Sequence, residues 1–152
     1  MKTIAIASDH GGFTLKRKIE TYLVKQGLRV KDLGTYSPLS CDYPDYSYAL
    51  AAVISAGKYK KGILICKTGI GNTIVANRLP GVRAALCYNL KAVRLSRQHN
   101  DSNVLVLGSL FVKEAMAKKM VTAWLKTKFE SGRHQRRLNK IKDIERKLRK
   151  NR

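Results

Sequence analysis

Hydrophobic and polar positions along this chain follow two alternating rhythms. Short Val/Ile/Leu-rich runs at 3–8, 28–33, 62–66, 82–86 and 103–107, flanked mostly by turn residues, read as five buried strands. Between them apolar residues recur every three or four positions. Leu15, Ile19, Tyr22 and Leu23 predict a helix that stops at Gly27. Further helical stretches cover 45–55, 71–77, 90–98 and 113–126, the last with Met116, Met120, Ala123 and Trp124 as its expected core-facing stripe. Strands and helices in this alternation predict an α/β fold built from βαβ units around a parallel sheet.

The final segment, 133–152, has Leu138, Ile141, Ile144 and Leu148 set among charges and predicts an amphipathic basic helix. Its apolar side is expected to dock on the domain or on another subunit. The stripe is narrow and lacks an aromatic anchor, which disfavours a membrane surface. No tract of Gly, Ser or Pro divides the 152 residues, so residues 1–152 are expected to form a single domain.

Near the amino terminus the apolar run is only Ile4 to Ala7, too short for a signal-peptide core or a membrane span, and a cytoplasmic protein is expected. Cysteines at 41, 66 and 87 form no CxxC pair and no spaced ligand set. Reduced thiols follow, with neither a disulfide framework nor a metal site expected.

Charge changes the picture more than composition does. The formal net charge is +21, and residues 133–152, with 10 basic and 2 acidic side chains, carry +8 of it. Such a field attracts polyanions at low salt without reading sequence. The chain has no RNP-like segment, zinc finger or helix-turn-helix, so no dedicated nucleic-acid partner is expected, and anionic metabolites use the same electrostatics.

The segment that carries candidate chemistry is Ile63-Leu64-Ile65-Cys66-Lys67-Thr68-Gly69-Ile70-Gly71-Asn72. A thiol at the carboxyl end of a buried strand is held rigidly, and the backbone N–H groups of the following turn can face an anionic intermediate. Taken alone, Cys66 reads more readily as a small core residue than as a nucleophile or base. Ser8-Asp9-His10-Gly11-Gly12 ends the first strand in the same way, offering a carboxylate, an imidazole and amides suited to phosphate or sugar hydroxyls. Asp9 also suits a helix N-cap, and His10 a solvent-facing turn. Neither GxGxxG nor GxxxxGK[ST] occurs in the required context, so nicotinamide and nucleoside triphosphate readings lose their support. Cys41 and Cys87 are read as structural.

Together with Gly34-Thr35-Tyr36, Asp42-Tyr43-Pro44-Asp45-Tyr46, the run Asn77 to Leu86, Arg97-Gln98-His99-Asn100-Asp101-Ser102-Asn103-Val104 and Gly132-Arg133-His134-Gln135-Arg136-Arg137, these motifs resemble the ribose 5-phosphate isomerase B and galactose 6-phosphate isomerase family across almost the whole chain. The resemblance implies a three-layer α/β/α sandwich with a five-stranded parallel sheet, Rossmann-like. It also implies a homodimer or homotetramer with active sites between subunits and no cofactor. The implied reaction interconverts D-ribose 5-phosphate and D-ribulose 5-phosphate through a cis-enediol or enediolate, a step of pentose-phosphate metabolism.

Carried over by position, Cys66 is the base at C2 and C1, and His99 assists opening of the furanose ring. Asp9 and Thr68 hold or polarise hydroxyls. Asn100 and the loop Lys67, Thr68, Gly69, Ile70 and Gly71 bind oxygens near the reacting carbons, while Tyr43 borders the sugar. His10, Arg133 and Arg137 resemble the phosphate-binding set, the arginines sharing a helical face at a spacing of four. Read without the resemblance, His99 could cap the preceding helix, and the arginines could form an exposed basic face.

Two positions depart from the family pattern. Lys67 stands where the loop normally has glycine: it strains the backbone if that position needs positive φ and otherwise leaves its N–H free to serve, while its side chain either points to solvent or places an ammonium near the thiol and substrate. Ser109-Leu110 replaces a small residue followed by arginine, a loss for which Lys113 could compensate. Two other readings remain open: an isomerase of a hexose 6-phosphate of the allose or galactose type, and an inactive basic homologue that binds nucleic acid.

Overall fold

A computed structural model describes residues 2–151. Its elements, in chain order, are β1 (Thr3–Ser8), α1 (Phe13–Lys25), β2 (Arg29–Asp32), α2 (Tyr43–Ser55), β3 (Gly62–Cys66), α3 (Ile70–Ala76), β4 (Ala84–Leu86), α4 (Leu90–Gln98), β5 (Val104–Gly108), α5 (Glu114–Lys126) and α6 (Arg133–Lys150). The five strands form one parallel sheet in the order β2-β1-β3-β5-β4.

Strand alternation explains the two cores. Ile4 and Ile6 of β1, Ile63 and Ile65 of β3, and Leu105 and Leu107 of β5 face α1, α4 and α5. Ala5, Ala7, Leu64, Val104 and Val106 point the other way, against Leu50, Ala51 and Ile54 of α2 and Ala76 of α3. Helices therefore cover both faces, and the three central strands are apolar on both. The edge strands differ from the expected five buried strands. β2 alternates exposed and partly buried residues, and β4 is only partly buried, because each has a neighbour on one side alone. β4 is also shorter than expected. Val82 packs in the core, but Gly81 takes φ +75° and the Arg83 N–H donates to the Asn103 side chain, so the strand begins at Ala84.

On α5 the buried stripe is Ala117, Met120, Val121 and Trp124, while Met116 is 40% exposed. The helix is rotated slightly from the expected stripe, with Ala117 in the place assigned to Met116. α6 bears on the rest of the chain through His134 and Leu138 and through Glu145, whose carboxylate accepts the Gly81 N–H at 2.9 Å. Ile141, Ile144 and Leu148 stay 44%, 55% and 61% exposed, so most of the apolar stripe is not docked on its own chain. Arg152, the end of the expected helix, lies outside the described residues. Among the described residues no helix is long and apolar enough to cross a membrane.

Chain direction reverses its path across the sheet at β1 and β3. From β1 the chain moves to β2 at one edge, and from β3 it moves towards β4 at the other. The crevice beyond the carboxyl ends of these two strands is the topological switch point at which open α/β sheets bind ligands. Gly12 closes its floor. A Cβ there would sit 2.6 Å from the Ile65 carbonyl carbon, whereas one at Gly11 would press on the flexible Lys67 side chain, Cγ at 2.5 Å, and touch Asp9 Oδ1 at an ordinary 3.4 Å. Gly12→Ala is expected to lower stability by about 1–3 kcal/mol through overpacking against backbone, with Gly11→Ala less affected. Urea unfolding checks this, and equal stability of the two variants would refute the close approach.

Candidate active site

Cys66 ends β3 and is 5% exposed. The turn after it folds back so that the Gly69 N–H donates to Cys66 Sγ at 3.0 Å. Gly69 takes φ +82°, where an L side chain would be strained, and it stands as N-cap of α3. This hydrogen bond fixes the sulfur at the entrance to α3. The Thr68 hydroxyl accepts the Ile70 N–H at 3.2 Å, and the Thr68 carbonyl accepts the Tyr88 hydroxyl at 3.0 Å. From the other side, the Ser109 and Leu110 N–H groups donate to the carbonyls of Cys66 and Lys67 at 2.8 and 3.0 Å. The loop is held at both flanks before any ligand arrives.

Asp9 is 8% exposed, and its Oδ1 accepts the Gly12 N–H at 3.0 Å, so the cap-like role and an inward carboxylate coexist. His10 is oriented by Cys41. The Cys41 N–H and carbonyl both lie 3.2 Å from His10 Nδ1, which serves as acceptor or donor according to tautomer. The Tyr43 ring covers Gly71, where a Cβ would lie 2.5 Å from the ring carbons. Asp9, His10, Tyr43 and the loop 66–71 therefore converge on one crevice.

Lys67 is not strained. Among the described residues the non-glycine positions with positive φ are Asp101 and Ser131. Its exposed side chain runs over Gly11. Lys67→Gly should therefore relieve nothing and reduce stability by about 0.5–1 kcal/mol through backbone entropy. A gain in denaturant midpoint would contradict the unstrained backbone. At Ser109 the hydroxyl donates to the Gly11 carbonyl at 2.8 Å, tying the two loops together. Lys113 lines an adjoining cleft with Gly11, Thr14, Lys18 and Glu114. There Lys118 and Lys18 hold the Glu114 carboxyl down at about 2.

His99, Asn100, Arg133 and Arg137 do not join this group within one chain. His99 caps the end of α4, Asn100 follows it, and both precede β5 at the amino end of the sheet. Cys66 is in register with Gly108, at the far end of β5. A five-residue strand separates the two ends by about 13 Å. Arg133 and Arg137 open α6 on the same side as His99, and both are exposed. Between them His134 is buried and stacks on His99, ring centroids 4.2 Å apart. Burial first, then His99 and Arg133, pushes the His134 pKa down, against the pull of Glu130.

The sequence reading missed the groups that fix this second cluster. Asp101 is held at φ +44° between two guanidiniums, with Arg97 Nη1 at 2.8 Å and Arg83 Nη2 at 3.1 Å from its carboxylate oxygens. Arg83 Nε also donates to the Asn100 and Asp101 carbonyls. The available signals were the motifs at 77–86 and 97–104, which contain Arg83, Arg97 and Asp101 without assigning them a part. Cys87, by contrast, lies in the core, where burial pushes its thiol up to about 11, in keeping with a structural part.

A family profile described as ribose/galactose isomerase matches residues 4–141. The chain is 47% identical to ribose-5-phosphate isomerase B of Escherichia coli strain K12 over 145 residues, 95% of this chain and 97% of that protein. Among solved structures, ribose-5-phosphate isomerase B of Clostridium thermocellum superposes with a TM-score of 0.94 at 46% identity, covering 96% of this chain and 99% of the other. The Mycoplasma genitalium enzyme, solved with bound ribulose-5-phosphate, superposes with a TM-score of 0.92 at 43% identity, covering 95% and 96%.

Proposed function

The chain belongs to the ribose/galactose isomerase family, and on that premise we propose that it interconverts D-ribose 5-phosphate and D-ribulose 5-phosphate, with Cys66 as the base. The observation that carries this reading is the Gly69 N–H donated to Cys66 Sγ at 3.0 Å, at the switch point of the sheet. The thiolate takes the proton from C2 of the open-chain aldose, negative charge passes to the C1 oxygen, the O2 hydroxyl proton moves to O1, and the same sulfur returns the proton at C1, leaving the carbonyl at C2. The unpaired amides at the start of α3 and the Thr68 hydroxyl are directed at the enediolate oxygens. Asp9 holds a substrate hydroxyl, Tyr43 walls the sugar, and His10 receives the phosphate. No metal or cofactor enters the scheme.

His99 opens the furanose ring, Asn100 binds an oxygen near the reacting carbons, and Arg133 and Arg137 bind phosphate, each acting in the crevice of a second subunit. A two-fold dimer pairs the carboxyl-end group of one chain with the amino-end group of the other, making two equal sites. Exposed apolar residues on both groups support this arrangement: Tyr88, Leu110 and Phe111 beside the Thr68 loop, and Ile141, Ile144 and Leu148 on α6. The chain acts as one isomerase domain, in a step of pentose-phosphate metabolism. Its free thiols support a reducing, cytoplasmic setting.

A coupled assay across pentose and hexose phosphates tests the substrate. Ribose 5-phosphate is expected to give the highest kcat/KM. Dominant turnover of allose 6-phosphate or galactose 6-phosphate would overturn the assignment.

A further inference from the structure

His99, Glu130 and His134 bring three ligand atoms within 4.8 Å of one another. Their backbones are already fixed. The His99 N–H donates to the Leu95 carbonyl at 2.9 Å, the Glu130 N–H to the Gln98 carbonyl at 3.0 Å, and the His134 N–H to the Ser131 carbonyl at 3.1 Å. The imidazoles stack with 10° between their planes, and each has its Nε2 towards the same carboxylate oxygen, at 4.0 Å for His99 and 3.7 Å for His134. Ligands bonded to one tetrahedral zinc ion at about 2.0–2.2 Å lie roughly 3.2–3.6 Å apart. Two parallel rings cannot both hold one ion in plane, so binding turns the partly exposed His99 ring out of the stack while the half-exposed Glu130 side chain closes the remaining gap.

Two imidazoles and a carboxylate form a donor set for borderline divalent ions, leaving a fourth position open to solvent. We propose that this cluster binds a divalent transition ion, zinc foremost, and that an occupied site inhibits isomerisation by taking the Nε2 of His99. The inhibition rests on His99 acting in catalysis as proposed above, whereas the binding does not. Arg133 and Arg137, on the same helix as His134, oppose a cation and weaken the site without removing a ligand. Phosphate-bearing substrate, which neutralises those arginines, competes with the ion for His99 itself.

The full-length protein, stripped with EDTA, is titrated with zinc by calorimetry and with cobalt by visible absorption. One ion per chain is expected, with tetrahedral cobalt bands and no sulfur-to-metal charge transfer. Glu130→Ala and His134→Asn should each weaken binding by about tenfold or more, while Cys66→Ala keeps it. Glu130 is half exposed, so its removal leaves the core intact should His134→Asn fail to fold. Absent stoichiometric binding, or binding lost in Cys66→Ala and kept in Glu130→Ala, overturns the site. Binding at the cluster without matching inhibition overturns the catalytic part assigned to His99, and leaves the metal site standing.

Discussion

Cys66→Ala is expected to lower kcat by about three orders of magnitude, the range over which a positioned general base contributes, while the protein stays folded. The magnitude follows from chemistry rather than from packing. Alanine leaves no group that can take a proton from carbon, and the remaining amides stabilise an enediolate that no longer forms. Stability should fall modestly, since the small side chain removed leaves a small void and the Gly69 N–H loses its acceptor, together about 1–3 kcal/mol. Cys66→Ser separates the two effects. The hydroxyl retains an acceptor for Gly69 yet is a far weaker acid than a thiol, so this variant should be better folded and still inactive. Steady-state kinetics with circular dichroism checks both, and either variant retaining a tenth of the parent activity would remove Cys66 from the mechanism.

Mixing two inactive proteins is expected to restore activity. His99→Asn should lose about two orders of magnitude as an acid/base variant. A heterodimer of Cys66→Ala and His99→Asn chains contains one crevice with the intact thiol facing the intact imidazole, and one with neither. After random exchange at equal concentrations half of the dimers are mixed, so the preparation should regain about a quarter of the parent activity. In one chain β5 stands between the two groups. No side-chain rotation spans that separation. Denaturant-assisted subunit exchange followed by the coupled assay reads the result, and activity no greater than the sum of the two variants would place both residues' action within single chains.

Much of the fold was legible because its signals are local. The runs at 3–8 and 62–66 coincide with β1 and β3, and the stop at Gly27 agrees with α1 ending at Lys25. Edge and centre carried a signal as well: Arg29–Lys31 alternates charged and apolar positions as a half-exposed strand does, whereas Ile63–Ile65 is apolar throughout. Lys16 was invisible. A lysine in an amphipathic helix reads as solvated, yet it is fully buried, with its ammonium 2.5 Å from Asp32 and 2.8 Å from the Thr35 carbonyl. That pairing joins segments the sequence pattern does not relate.

At the candidate site, Cys66, Asp9 and His10 were legible because each follows a strand end, where topology itself collects ligand groups. The division of the remaining residues between two ends of the sheet was not. Motif order records that His99 and Arg133 exist, but only the antiparallel course of α4 and α5 against their strands carries them to the amino end. Whether Lys67 is strained also had no local signature, since the left-handed turn falls at Gly69, two residues later.

Isomerisation in D2O, followed by proton NMR of the product, tests the central claim most directly. With ribose 5-phosphate, the parent protein should yield ribulose 5-phosphate carrying solvent deuterium at C1, since the proton taken by Cys66 exchanges before its return, and Cys66→Ala should yield neither product nor exchange. Undiminished conversion or deuterium incorporation by Cys66→Ala would contradict the account.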